Sequence, residues 1–122
     1  REGRIMAGCW AIISHDPDRE MARLGDHLLY QMNRYIDWGF AGPPETTPRF
    51  PDVASAVEGG LYEFWTVEEA VEKLQTKIDR YPQIKDIHFW AQFPGESLES
   101  GQARIELLAR EVFPRLRPSA AA

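Results

Sequence analysis

The chain has 122 residues, 43% hydrophobic and 27% charged, which suits a single globular domain with one modest core. A net charge of −5 without any Lys/Arg cluster excludes the basic face that nucleic-acid phosphates require. A lone cysteine, Cys9, excludes an intramolecular disulfide, and no apolar run approaches the roughly 20 residues of a membrane span. With no signal-peptide layout in view, cytoplasmic placement is the expectation.

Ile5 to Ile13, IMAGCWAII, is a nearly continuous apolar run of strand length, the pattern of a strand buried on both faces. Cys9, between Gly8 and Trp10, reads as a buried inert thiol. Asp16 as N-cap, Pro17 at the first helical position and the acidic Asp18 and Glu20 then open a helix. Its apolar stripe, Met21, Leu24, Leu28, Met32, Tyr35 and Ile36, predicts an end near Gly39. From Gly39 to Gly60, prolines and glycines break the periodicity, so 39–65 reads as a loop or insertion with one helical turn at Val53 to Val57. Phe40 and Phe50 in it are either anchors or the lid of a ligand pocket.

Thr66 and Glu69 have the spacing of a capping box, and Val67, Ala70, Val71, Leu74 and Ile78 give the helix they start an apolar face that Pro82 terminates. Ile87, Phe89, Ala91 and Phe93 then alternate with His88, Trp90 and Gln92, predicting a second strand covered on both faces. Pro94-Gly95 stops it. Ser97 is an N-cap for a last helix in which Leu98, Ile105, Leu108 and Val112 recur until Pro114. The expected fold class is α/β, with two parallel strands flanked by three main helices in βα-αβα order.

Candidate chemistry is sparse. His15, directly after the first strand, is either a general acid or base or an exposed turn histidine; His88 is either ligand-facing or a core or interface histidine. Three separated histidines and one cysteine show no metal-ligand spacing, and the glycines form neither a dinucleotide fingerprint nor a phosphate loop. Trp10, Trp38, Trp65 and Trp90 either line a flat pocket or pack a core.

The stretch FWAQFPGESLESGQARIELLAREVFPRLR resembles the carboxyl-terminal strand and helix of the luciferase-like flavin monooxygenases, through Arg104, Glu106, Leu107, Ala109, Glu111, Val112 and Pro114. The preceding GLYEFWTVEEAVEKLQTKIDRYPQIKDIHFW is similar to the segment that leads into that family's last strand. The resemblance implies the last two units of a (β/α)8 TIM barrel, part of a flavin-dependent oxidoreductase using FMN or a deazaflavin. Most flavin-phosphate contacts in that family come from upstream strands, so the chain alone would be incomplete for catalysis. Barrel sites lie at the carboxyl ends of the strands, which marks His15, His88, Trp90, Gln92 and Phe93 as substrate- or flavin-proximal candidates.

Two strands cannot close a barrel, and the chain opens at Arg1 without a Met, so a homo-oligomer or the remainder of a larger barrel is the expected partner. The alternative is a free-standing small α/β binding or interaction module, oligomeric, with an aromatic pocket for a small apolar substrate. Neither reading calls for a nucleic acid or a membrane.

Overall fold

The structure, a computed structural model, describes residues 3–119; Arg1, on which the reading of the chain's start rests, lies outside them. The apolar run forms β1 (Ile5–Cys9) and β2 (Ala11–Ile13), one extended stretch interrupted at Trp10. β1 pairs in parallel with β4 (Ile84–Phe89), Cys9 opposite Phe89, and β2 pairs in parallel with β3 (Glu63–Trp65), Ile12 opposite Phe64. Alternate residues of a strand direct their backbone groups to opposite edges. Ile5 N–H donates to Gln83 O on one side, while Trp10 O accepts from Glu63 N–H and Ser14 N–H donates to Trp65 O on the other. The first stretch therefore lies between β3 and β4.

Local signals set the helices. Asp16 accepts Arg19 N–H at the start of α1 (Pro17–Asp37), and Asp52 accepts Ser55 N–H at the start of α2 (Val53–Glu58). The Thr66–Glu69 capping box is complete at the start of α3 (Val67–Arg80), and Ser97 accepts Ser100 N–H before α4 (Leu98–Leu107). α4 continues through a π-helical turn, Leu108–Val112, and a 3-10 turn, Phe113–Arg115, where Pro114 has no N–H to extend the helix. No helix among the described residues is long and apolar enough to cross a membrane.

Side-chain alternation sorts the core into two layers. Cys9, Ala11 and Ile13 pack with Trp65, with Val67, Ala70 and Leu74 of α3, and with Leu108 and Val112. Ile12 points the other way, against Leu24, Leu28 and Met32 of α1, with Tyr62 and Phe93 beside them. Helices thus cover both faces of a parallel sheet, an α/β architecture. Leu24, Ile12 and Leu74 are fully buried, and truncating such a side chain to Ala costs about 2–5 kcal/mol.

Four expectations change. A third strand, β3, pairs with β2 from inside 39–65, where only the helical turn now seen as α2 was expected. The last strand runs from Ile84 to Phe89 instead of Ile87 to Phe93, because its extent follows the partner residues Ile5 to Cys9. Strand burial is one-sided toward the amino end: Met6 is 71% exposed, and Gly8, Asp86 and His88 are exposed on the face that α1 leaves bare. Finally, α4 turns Gly101, Arg104, Leu108 and Val112 inward, while Leu98 is 74% exposed. Gly101 permits this packing, since a Cβ there would stand 3.1 Å from Ala91 O.

In a (β/α)8 barrel consecutive strands are neighbours and the helices form one outer ring. Here the first strand separates the second from the third, and α1 lies opposite α3. β1–β4 and β2–β3 are two two-stranded parallel sheets that meet at Trp10; taken together along that stretch, their strand order is 2-1-3, as in a doubly wound sheet.

Candidate functional site

In a doubly wound sheet the connections leaving the central strands diverge at one point, and a crevice opens there beyond the carboxyl ends of the strands. In this chain that point lies between Ser14, after β2, and the segment that follows β4. A short turn organises it. Pro94 and Gly95 occupy its centre, Gly95 at φ 78°, and Glu96 N–H donates back to Phe93 O at 3.2 Å. Glycine is required on two counts, since a Cβ at residue 95 would also stand 2.2 Å from the His27 ring. The turn aims the Glu96 carboxylate inward, where it accepts Phe93 N–H at 3.1 Å, and Gln92 Nε2 donates to Glu96 O at 2.9 Å.

Arg104 meets Glu96 from α4. Its Nη1 donates to Glu96 Oε2 at 2.7 Å and its Nη2 to Oε1, a bidentate pair with side-chain exposures of 4% and 0%. Ser100 Oγ donates to Glu96 Oε1 at 2.8 Å, and Arg23 Nη2 reaches Glu96 at 3.2 Å, Ser100 Oγ at 3.0 Å and Glu20 Oε2 at 2.6 Å. Glu20 Oε2 in turn lies 3.4 Å from Arg104 Nη2. Two carboxylates and two guanidiniums thus neutralise one another across α1 and α4. Burial alone would push the Glu96 carboxyl up, but hydrogen bonds from Arg104, Ser100 and the Phe93 amide outweigh it and hold the group at about 2. The Arg104 guanidinium also lies over the Phe93 ring, 5.1 Å from its centre. Its Nε is buried without a hydrogen-bond partner, an exceptional state for a charged donor.

A cleft of about 260 Å³ adjoins this cluster, lined by Ser14 and His15, by Glu20 of α1, and by Ser100, Arg104 and Leu107 of α4. The wall presents two hydroxyls, an imidazole, a carboxylate and a guanidinium around an apolar floor. Its charges cancel locally, so it suits a small polar molecule better than a free anion or cation. His15 Nε2 lies 3.3 Å from Glu111 Oε1 at the solvent side.

The candidates read from the sequence fall in three places. His15 rims the cleft, Phe93 lies beneath Arg104, and Gln92 braces the turn. His88 and Trp90 lie apart from them, packed edge to face at 4.6 Å, with Trp10 5.7 Å from Trp90. Phe40 and Phe50 line a separate apolar cavity. Arg23, Glu96 and Ser100 carried no expectation from the sequence, and Glu20 and Arg104 were expected in other roles, at a helix start and in the family-like motif. Their one signal was spacing: Arg104 precedes Leu108 and Val112 by four and eight residues, a charge on the stripe that packs inward. Among the described residues no group of three or more His, Cys, Asp or Glu could hold a metal ion. Burial pushes the Cys9 thiol up to about 11, which leaves it no thiolate chemistry near neutral pH.

No protein-family model matches the chain, and neither curated proteins nor solved structures give a match to it.

Proposed function

We propose that the chain is a small α/β binding module whose site is the cleft between Ser14–His15 and α4. One observation carries this reading: the cleft lies at the topological switch point of a 2-1-3 parallel sheet, where open α/β sheets hold their ligands. The ligand is a small polar molecule that offers both donors and acceptors and carries little net charge. His15 and Ser14 contact it from the strand end, and the Glu96–Arg104 pair positions α4.

The experiment is a screen of several hundred polar fragments against the ¹⁵N-labelled chain, read by amide shifts. Hits are expected to converge on Ser14, His15, Ser100 and Leu107. Hits scattered over the surface, or converging elsewhere, overturn the assignment.

The rival proposal, a carboxyl-terminal segment of a luciferase-like flavin-dependent oxidoreductase, draws on the resemblance of α4 and on the aromatic group His88, Trp90 and Trp10. It ranks second, because a barrel segment would need β3 beside β4 and all helices on one side. Saturable binding of FMN with shifts at His88 and Trp90 would reverse that ranking.

A further inference from the structure

We propose that the cavity beneath the loop 39–52 is a second binding site, specific for a neutral, flat, carbon-rich molecule of about ten non-hydrogen atoms. It holds about 200 Å³ between the carboxyl-terminal half of α1 and the loop, and Tyr35, Ile36, Phe40, Phe50 and Leu61 form most of its wall. Among the described wall residues the Tyr35 hydroxyl is the only polar side-chain group, and it already accepts from Gln31 Nε2 at 3.0 Å. Apart from that single hydroxyl proton, a charged ligand would meet only apolar surface there.

The space is an apolar recess open to solvent beside Phe40 and Ala41, and something must keep the loop from closing over it. Polar ties on the loop do that. Asn33 Oδ1 accepts Phe50 N–H at 2.8 Å while Asn33 Nδ2 donates to Phe50 O at 3.0 Å, fixing the loop's far end to α1. Next to it, Arg49 grips Asp37 at the end of α1 through Nε at 2.8 Å and Nη2 at 2.9 Å, a second tie on the same end of the loop. Gly59 makes room for the Phe50 ring, since a Cβ at residue 59 would stand 2.7 Å from it. The ring is therefore held by backbone bonds and by a missing side chain, and it does not fall into the space beside it.

The mouth carries the second observation. Phe40 is 68% exposed although it borders an apolar cavity, and it packs against Tyr35 with ring centres 5.7 Å apart. Trp38, 75% exposed and outside the cavity wall, also packs against Tyr35, with ring centres 5.8 Å apart. A large ring left in water at a cavity entrance, as Phe40 is, marks a ligand site more than a core defect. A bound aromatic molecule would be enclosed by Phe40, Tyr35 and Phe50 and could adopt the tilted or edge-to-face stacking that aromatic pairs favour.

The test uses indole as the probe and indole-3-acetate as its charged counterpart, read by methyl shifts of Met32, Ile36 and Leu61. Indole is expected to bind saturably and the acetate at least 10-fold more weakly. Ala41→Trp, from an exposed wall position, fills the space and should weaken indole at least 10-fold. It should leave fragment-induced shifts at Ser14 and His15 unchanged, so failure here is distinct from failure of the cleft. Phe40→Ala, an exposed ring whose loss spares the core, should weaken indole at least 3-fold even if Ala41→Trp fails to fold. Absent indole shifts, equal binding of the acetate, or unchanged affinity in Phe40→Ala each overturn the site.

Discussion

Arg104 closes both terminal nitrogens on the two carboxylate oxygens of Glu96, eight residues earlier, and neither side chain is more than 4% exposed. A pair so placed holds α4 to the turn that precedes it, and through Glu20 and Arg23 it holds α4 to α1. Desolvation of both charges is offset only while both partners and their supporting hydrogen bonds are present.

Removing one partner should therefore cost more than removing both. Arg104→Met removes the main partner of the Glu96 charge, leaving Arg23 and Ser100, and is expected to lower unfolding free energy by about 3 kcal/mol. Adding Glu96→Gln to it should restore part of that loss, measured by urea unfolding at pH 7. A double variant no more stable than Arg104→Met would remove the pair from this account.

Acid should weaken the same link. Glu96 titrates near 2 when folded against an ordinary value of 4.5, so its stabilisation is complete above pH 4.5 and is lost as pH falls toward 2. Urea midpoints taken between pH 2 and pH 6 should fall more steeply in the wild type than in Glu96→Gln. Parallel curves would mean that Glu96 is not held ionised by its partners.

Gly95→Ala tests the turn. The residue adopts a left-handed φ of 78°, and a Cβ there would overlap the His27 ring, so a loss of about 2–3 kcal/mol is expected. The double change His27→Ala with Gly95→Ala should recover the overlap portion and leave the backbone portion, as read by thermal unfolding. No recovery would show that His27 yields freely.

Cys9 reports on the core without perturbing it. Its thiol is buried at the end of β1, with a value near 11. Labelling by a disulfide reagent at pH 8 should run at least about 100-fold slower in the folded chain than in urea, since reaction needs both opening and thiolate. Rapid labelling under native conditions would mean that β1 opens locally.

The elements themselves were legible because their signals are local. Asp16 before Pro17, the Thr66–Glu69 box and Ser97 each act within one helical turn, and each helix starts where they put it. Pro94-Gly95 likewise announced its turn within four residues. Strand limits were less legible, because Ile84, Lys85 and Asp86 look like loop residues and extend only because Ile5 and Met6 lie beside them.

What the amino-acid order determined alone was thus the sequence of helices, caps and turns and the apolar run at the centre of the sheet. Tertiary structure decided which strand became central, which side each helix covered and which α4 residues turned inward. These are long-range choices. The apolar spacing of Leu98 and Ile105 looked like a buried stripe, yet Arg104 takes that side, because Glu96, Glu20 and Phe93 arrive from distant positions to neutralise and cover it. A charge can enter a core only when its partners do, and partners eight and eighty-four residues away leave no periodic mark in the chain.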